Sequence, residues 1–438
     1  MNAQWTTDVK TFLALTFAAL AVPAQAQLRL PQLPGVSRLP GVVDRVVDRV
    51  VQPLPELLSS TTQLVDLRAT TVRDLLQRHP DIIEADPRGE LIRRRELVLL
   101  SPSDAALAAA AALGLVKLRE EAWPELELRE VVLSVPASLG TAEALDKLRA
   151  AQPDLQADFN HLYSRSGELA PGAAVAPAKP RGPVRVGLID GGVDRRHAAL
   201  RHAAGGSFGC AGSVVPSEHG TAIASLLVGR DRGFAGASPK AELFAADVYC
   251  DKPDGGSAEE VVRALAWMAR ERVAVINLSL VGPPNRLLEQ GVAALVKRGH
   301  LLVAAVGNDG PAAPPLFPAS YAGVVGVTGV NPSRRVLPEA AQGPQVLLTA
   351  PGADVAVARS GGGYGIARGT SFAAPLVAGL LAAELREPDP VAAAAVLERL
   401  AAAAIDLGAP GRDPVYGRGL VGEDLRVVPE QLQARQAR

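Results

Sequence analysis

The sequence contains little cysteine, almost no net charge and no long apolar run in its body. Cys210 and Cys250 are its two cysteines, so it can form at most one disulfide. Its formal net charge is −1, which gives no electrostatic reason for binding nucleic acid or an anionic membrane. Beyond residue 26, no apolar run reaches the roughly 18 residues that a membrane-spanning helix needs. The zinc-protease pattern H-E-x-x-H and the P-loop pattern G-x-x-x-x-G-K-[ST] do not occur either. We therefore expect no nucleic acid partner and no stable membrane anchor.

The composition permits a large buried core, and the first residues have the features of an export signal. Of the 438 residues, 48% are hydrophobic and 21% are charged, which is typical of a globular protein of two or three domains. Lys10 precedes the apolar segment TFLALTFAALAV, and an A-x-A cleavage pattern ends at Ala26. We therefore expect residues 1–26 to be a signal peptide and the mature protein to be secreted or periplasmic. In that oxidising compartment, a disulfide between Cys210 and Cys250 is favoured over two buried thiols.

Three regions with different patterns lie between the signal and the main part of the chain. Residues 27–90 begin rich in proline and then carry two amphipathic helix patterns, VVDRVVDRVVQP and TTQLVDLRATTVRDLLQRH, with no visible chemistry. Residues 91–164 alternate strand and helix patterns in the order β-α-β-β-α-β, which is typical of a small ferredoxin-like α+β domain. Residues 165–182 are rich in proline, glycine and alanine, which predicts an exposed linker.

Between residues 183 and 438, patterns of buried strands alternate with patterns of helices. The strand patterns are VRVGLID, ELFAADVY, VAVINLSL and HLLVAAVG, and the helix patterns are SAEEVVRALAWMARE and PPNRLLEQGVAALVKRG. This alternation predicts an α/β fold, with a parallel twisted sheet and helices on both of its faces. In such sheets the chemistry gathers at the carboxyl ends of the strands.

Four polar residues follow a buried strand or begin a helix in this region. Asp190 ends a strand in GLIDGGVD, His219 lies in SEHGTAIASLLVG, Asn308 follows a strand in VAAVGNDG, and Ser371 lies in ARGTSFAAP. Taken singly, each has an ordinary structural explanation as a turn residue, one of six histidines, or a helix cap. We expect Pro375 to lie in the first turn of its helix, where its missing N–H costs little.

Taken together, the order Asp, His, Asn, Ser resembles that of the subtilisin-like serine peptidases, or subtilases. The resemblance extends from Val184 to Leu420 through the motifs VGLIDGGVD, HGTAIASLLVG, INLSL, AAVGNDG, TAPG, GTSFAAP and YGRGLV. It implies that Ser371 is the nucleophile, that His219 is its general base and then acid, and that Asp190 orients the imidazole. Asn308 and the backbone N–H of Ser371 would form the oxyanion hole. The implied activity is that of a serine endopeptidase with protein or peptide substrates.

The same resemblance implies where a substrate binds. The implied positions are Ser279, Leu280 and Val281; Gly255 and Gly256; and Ala305, Val306 and Gly307. The first two groups would hold an extended peptide as an added strand. The third would line the pocket for the residue before the cleaved bond, for which we expect an apolar side chain of ordinary size.

Several positions depart from the pattern of the subtilases, and three of them bear on the expected site. Gly191 stands where threonine or serine usually follows the aspartate, so one hydrogen bond that steadies the catalytic group is in doubt. Val281 stands where glycine is usual and narrows the pocket. Ala199 stands where many members have a calcium-binding aspartate. We therefore expect no cofactor and assign no metal site, although calcium is possible through ligands that the sequence does not identify.

Residues 91–164 also resemble the inhibitor-type propeptide of subtilases. This implies a zymogen whose own propeptide occupies the cleft until it is cleaved off between Tyr163 and Pro183, and we expect a monomer. Two alternatives stay open. One is an acid-acting relative with glutamate in place of histidine, against which His219 and Asn308 argue. The other is a degenerate protease fold that binds peptides without cleaving them.

Overall fold

A computed structural model describes residues 70–165, 167–170 and 184–427 of the chain. The expected signal peptide, most of the N-terminal extension and most of the expected linker lie outside the described residues. Among the described helices, none is long and apolar enough to cross a membrane.

The first part of the described chain forms a small antiparallel sheet with helices. Its helices are α1 (70–78), α2 (Asp104–Ala112) and α3 (Thr141–Ala151), and its strands are β1 (Ile83–Ala85), β2 (Leu91–Leu100), β3 (Val116–Trp123), β4 (Leu128–Ser134) and β5 (Gln156–His161). The strand order is β1-β2-β4-β3, and β5 pairs with the free side of β2. Ser103 caps α2 by accepting the N–H of Ala106, as the serine before an alanine-rich run predicts. Leu99, Val131 and Leu148 are buried in the core between sheet and helices.

Four short strands and five longer helices also lie outside the main sheet. The short strands are β6 (Ser164–Arg165), β7 (Glu168–Ala170), β10 (Arg230–Asp231) and β11 (Phe234–Ala235). The helices are α4 (Glu218–Val228), α5 (Ala258–Arg270), α6 (Arg286–Lys297), α7 (Thr370–Glu384) and α8 (Pro390–Ala402), where α7 is the central one.

The main sheet has seven parallel strands. They are β8 (Arg185–Asp190), β9 (Ser207–Phe208), β12 (Glu242–Asp247), β13 (Val275–Leu278), β15 (Leu301–Ala305), β16 (Val325–Val330) and β17 (Val346–Pro351), in the spatial order β17-β16-β15-β13-β8-β12-β9. Three further strands, β14 (Leu280–Val281), β18 (Ala353–Ala358) and β19 (Tyr364–Arg368), lie in smaller sheets. One core packs α4, α7 and α8 on one face, and a second packs α5 and α6 on the other. The predicted parallel α/β sheet with helices on both faces is thereby confirmed.

Helix α7 lies in the core, and its proline has a consequence that differs from our expectation. Pro375 lies beyond the first turn of α7, at the position whose N–H would normally bond the carbonyl of Ser371. That carbonyl instead accepts a hydrogen bond of 3.0 Å from the hydroxyl of Ser279. The amide of Asn277 donates to the same hydroxyl at 2.8 Å. The start of α7 is therefore fixed by the strand next to it.

The small sheet packs against the N-terminal ends of α5 and α6. Arg119 on β3 contacts Glu259 on α5, with 2.6 Å between Nε and Oε1. The carboxylate of Asp158 accepts the backbone N–H of Arg286 at the start of α6, at 3.0 Å. Negative side chains at helix N-termini are favoured by the helix dipole, so this contact aligns the small sheet with the larger domain. The amide of Asn285 also donates to the carbonyl of Phe159 at 3.0 Å.

Candidate active site

Asp190 and His219 form a close pair at the centre of the main sheet. Asp190 ends β8, and His219 lies in the first turn of α4, whose N-cap Ser217 accepts the N–H of Gly220 at 2.9 Å. The Nδ1 atom of His219 lies 2.8 Å and 3.0 Å from the two carboxylate oxygens of Asp190. The N–H of Gly191 donates to one of those oxygens at 2.6 Å. Because the carboxylate holds Nδ1, it fixes the ring orientation and directs Nε2 away from the sheet.

Ser371 lies in the first turn of α7, next to this pair. Its neighbour Phe372 has its ring centroid 5.4 Å from that of His219, so the helix start and the imidazole are in contact. Gly369, directly before the helix, has φ of 131°, in the region that favours glycine. A Cβ atom at Gly369 would also lie 2.8 Å from the Cα of Gly167. The serine is thus presented on a tight turn that only glycine allows.

Asn308 directs a hydrogen-bond donor toward the same place. Its Oδ1 accepts the N–H of Thr370 at 2.9 Å, and the N–H of Gly307 donates to the hydroxyl of Thr370 at 3.2 Å. These contacts tie the end of β15 to the start of α7. Within the described part of the chain, the buried Nδ2 of Asn308 has no hydrogen-bond acceptor. A buried donor without a partner is costly, which points to an acceptor that is supplied during function.

The chain's own segment from Leu162 to Ala170 runs through this region. Leu162 forms a bridge with Ser257, and β6 pairs antiparallel with β14, with Ser164 opposite Val281 and Arg165 opposite Leu280. β7 pairs antiparallel with β19, the strand that leads into α7. The expected linker therefore begins with two short strands.

Two residues of this segment have well-defined places. Tyr163 donates its N–H to the carbonyl of Gly256 at 2.9 Å, and its hydroxyl to the carbonyl of Pro283 at 2.7 Å. Gly167 lies against the start of α7, where a Cβ atom would be 2.5 Å from the ring of Phe372 and 3.2 Å from the carbonyl of Arg368. The sequence signals for these contacts were weak, because the composition of this stretch is that of a linker.

The other expected substrate positions lie along the same path. Leu280, Val281 and Gly256 contact the segment directly, whereas Gly255 packs on the backbone of Tyr249 and Ser279 turns its hydroxyl to α7. Ala305, Val306 and Gly307, at the end of β15, are buried. Leu316 covers Gly307 closely, a contact that no local sequence pattern predicts.

Side chains of neighbouring residues fill the space beside Gly191, which has no side chain of its own. A Cβ atom there would collide with the hydroxyl of Ser217 and would lie 2.7 Å from Nη2 of Arg165. The guanidinium of Arg165 in turn lies over the ring of Tyr249, with 4.2 Å between Cζ and the centroid. The space that a threonine or serine would fill is therefore occupied.

Cys210 and Cys250 are disulfide-bonded in the structure, with 5.3 Å between their Cα atoms. The bond joins the loop after β9 to the loop after β12. With Asp247 they form the one cluster of possible metal ligands among the described residues, but disulfide sulfurs are not thiolate ligands. Ala199 is buried against Phe234 and other apolar side chains, so this position does not fit a calcium ion.

Comparison with known proteins gives the family. The model of the subtilase family matches residues 182–419, more than half of the chain, and the chain belongs to that family. It is 32% identical over 253 residues to subtilisin amylosacchariticus from Bacillus subtilis subsp. amylosacchariticus, covering 54% of this chain and 64% of that protein. It is 31% identical over 253 residues to a subtilisin from Bacillus pumilus, covering 54% of this chain and 88% of that protein. The alignment thus spans less than two thirds of the length of the first of these relatives.

A solved structure has the same fold over more of the chain. It is fervidolysin from Fervidobacterium pennivorans, a keratinolytic enzyme related to subtilisin, which aligns with a TM-score of 0.63 at 19% identity. The alignment covers 78% of this chain and 62% of fervidolysin. At that identity the likeness shows the fold alone.

Proposed function

We propose that this protein is a secreted serine endopeptidase that hydrolyses peptide bonds through Asp190, His219 and Ser371. One observation carries the proposal. The Asp190 carboxylate holds Nδ1 of His219 at 2.8 Å, beside the helix start that bears Ser371. Membership of the subtilase family supports the same assignment.

The proposed reaction has two steps. The hydroxyl of Ser371 attacks the substrate carbonyl carbon while Nε2 of His219 takes its proton, and the same nitrogen then protonates the leaving amine. Water next attacks the acyl-enzyme, again with His219 as the base, and releases the carboxylic acid product and free Ser371. Asp190 stays ionised throughout and stabilises the imidazolium.

Asn308 stabilises the negative oxygen that develops on the carbonyl. Its Nδ2 donor is oriented because Oδ1 is held by the N–H of Thr370. The backbone N–H of Ser371, in the first turn of α7, is the second donor. Neither group needs to reorganise during the reaction, which is why such donors are effective.

The protein is made as a zymogen whose residues before 167 inhibit it. Support comes from the pairing of β6 with β14 and of β7 with β19, which makes one chain cross the site from side to side. Gly167 lies against the start of α7, where a Cβ atom at Gly369 would be 2.8 Å from the Cα of Gly167 and 3.2 Å from Nδ2 of Asn308, so the peptide bond that precedes Gly167 is the candidate for cleavage. We assign this bond as the one cleaved during maturation. Cleavage leaves the small sheet bound as an inhibitor.

Export and the disulfide belong to the same proposal. Residues 1–26 direct the chain out of the cytoplasm, and Cys210 and Cys250 pair in the oxidising compartment. A glutamate-based acid relative does not fit, because His219 holds the basic position. The buried Nδ2 of Asn308, which has no acceptor among the described residues, favours catalysis over a binding protein without activity.

Chemical labelling tests the proposed activity. Purified wild-type protein is treated with phenylmethylsulfonyl fluoride, and casein hydrolysis and the labelled peptide are measured. We expect hydrolysis to cease as the reagent attaches to Ser371, and Ser371→Ala to be inactive and unlabelled. An unlabelled wild type without caseinolytic activity, or casein hydrolysis by Ser371→Ala, would contradict the proposal.

A further inference from the structure

Two buried carboxylates end neighbouring strands beside the imidazole. Asp190 on β8 and Asp247 on β12 are register partners, and both are at most 5% exposed. Asp247 accepts the backbone N–H groups of Tyr249 and Cys250 at 3.1 Å and 2.9 Å. Its other oxygen lies against Gly192, where a Cβ atom would come within 2.9 Å. In residues 70–165, 167–170 and 184–427, neither carboxylate has an ion pair with lysine or arginine. The corner of the cleft formed by Asp190 and Asp247 therefore carries negative charge.

The electrostatics of Asp247 agree with that description. Burial raises its pKa, and the Asp190 carboxylate adds to the rise, whereas the guanidinium of Arg165 opposes it. A cation placed near this corner is thus stabilised by two carboxylates at once.

Arg165 of the protein's own segment lies at this corner. It is held in register by β6, opposite Leu280, and its guanidinium stacks on the Tyr249 ring at 4.2 Å. Its Nη2 lies where a side chain at residue 191 would begin, since a Cβ atom at Gly191 would be 2.7 Å away. The glycine therefore makes room for the guanidinium.

We propose that Gly191, Tyr249 and Asp247 form a subsite for an arginine side chain in the second residue before the cleaved bond. This rests on the peptidase function proposed above and names its substrate class. It also gives a role in substrate selection to Gly191, which stands where subtilases usually have threonine or serine.

Arginine fits this subsite better than other side chains. Its planar, delocalised cation stacks on an aromatic face, and it is less strongly hydrated than the ammonium of lysine. A neutral side chain of the same length would keep the stacking and lose the attraction to the carboxylates. Arg165 is exposed to solvent, so its attraction to the carboxylates is screened by salt.

Paired peptides test the proposal with mature wild-type enzyme. The first has the sequence of residues 162–169, and the second has citrulline, a neutral isostere of arginine, in place of residue 165. Cleavage of the bond between residues 166 and 167 is followed by mass spectrometry at low ionic strength. We expect kcat/KM to be about tenfold higher for the arginine peptide, and the ratio to fall toward one as salt is added.

Three variants test which residues cause the preference for arginine. Asp247→Asn keeps both backbone contacts and removes the charge, Tyr249→Leu removes the ring, and Gly191→Ser fills the space. Each should lower the arginine-to-citrulline ratio of kcat/KM by at least threefold, because each removes a contact of the arginine cation. Tyr249→Leu should also slow hydrolysis of the citrulline peptide, which stacks on the same ring, and Gly191→Ser also disturbs Ser217. Tyr364→Leu, at the start of β19 beside His197, is the control and should keep the wild-type ratio.

The outcomes separate this proposal from the one it rests on. If wild-type enzyme cleaves casein but treats the two peptides alike, the arginine subsite is wrong. If the ratio is high but unchanged in Asp247→Asn and Tyr249→Leu, the assignment to this corner is wrong. If neither peptide nor casein is cleaved, the peptidase function itself is wrong.

Discussion

At the scale of single residues, the proposed nucleophile Ser371 is held by groups from other elements as well as by its own helix. Pro375 cannot bond the carbonyl of Ser371, and the hydroxyl of Ser279 takes that place. Asn308 is anchored through one amide atom and leaves the other as a donor. The side chain of Asn308 is therefore pre-oriented before any substrate arrives.

Removal of that donor tests its role. Asn308→Ala should lower kcat by about 10²–10³ with little change in KM, because the donor acts on charge that develops only in the transition state. Asn308→Asp is the matched variant, since it keeps an oxygen for the N–H of Thr370 and lacks the donor. Steady-state kinetics should show a loss of kcat for Asn308→Asp that is at least as large as the loss for Asn308→Ala. An unchanged kcat in either variant would remove Asn308 from the mechanism.

The pocket before the cleaved bond is predicted to be small. The side chain of Leu316 covers Gly307. The loop that contains Leu316 is held next to Val281, because Phe317 pairs with Gly282. With peptides that differ only in that residue, alanine should be preferred over phenylalanine by at least about tenfold. Leu316→Ala should bring the ratio of kcat/KM toward one. Leu385→Ala, at the other end of α7, should leave it unchanged; a wild-type preference for phenylalanine would show that the pocket is open.

Sequence analysis named the polar residues of the candidate site but not the residues that contact them. Asp190, His219, Asn308 and Ser371 were named because their order and motifs resemble those of the subtilases, whereas each motif alone has an ordinary structural explanation. The contact of Leu316 with Gly307 depends on how a loop folds back, which no local pattern encodes.

At the scale of elements, one segment joins the two halves of the site. β6 and β7 are short, and neither would be stable alone. Each is held by pairing to an edge, β14 or β19, that the larger domain supplies. The main strands and helices could be predicted, because their apolar spacing is repeated over many residues. The two short strands could not, because proline, glycine and alanine around them predict a linker and the pairing edges are far away in sequence.

A side chain at Gly167 should slow maturation. Its φ is 121° and a Cβ atom would contact the ring of Phe372, so Gly167→Val strains the backbone and displaces the bond from Asn308. We expect the precursor to accumulate on gels over a time course in which wild type is fully processed. Ser164→Ala, which changes a side chain in β6 without altering the pairing, is the control. Processing of Gly167→Val at the wild-type rate would argue against our assignment of the bond.

At the scale of the whole molecule, the small sheet meets α5 through a cluster of buried charges. Glu130 on β4 is 1% exposed, and one of its oxygens has no partner among the described residues. Burial raises its pKa to about 9, and the Glu259 carboxylate adds to the rise against Arg263 and Arg119. Glu121 on β3 also raises it.

This shift makes the stability of the uncleaved chain depend on pH. Below the ordinary glutamate pKa of 4.5, Glu130 is protonated in both folded and unfolded chains and costs nothing. As the pH rises from there to about 9, the folded chain retains a proton that the unfolded chain has lost, so stability falls through this window.

Replacement of Glu130 by glutamine should remove that loss. In the Ser371→Ala background, Glu130→Gln should raise the free energy of unfolding by on the order of 1–3 kcal/mol at pH 8 and by much less at pH 5. Denaturation at the two pH values measures the difference. Glu143→Gln on the exposed side of α3 is the control and should show no such trend. An equal effect of Glu130→Gln at both pH values would contradict the raised pKa.

The most direct test of the central claim is the mass and N-terminal sequence of secreted wild-type protein beside Ser371→Ala. If Asp190, His219 and Ser371 cleave the chain's own bond between residues 166 and 167, the wild-type catalytic domain should begin at Gly167. The variant should keep the preceding residues covalently attached. A Ser371→Ala protein that is cut at the same bond in pure form, or a wild type in which that bond stays intact in active enzyme, would contradict the account.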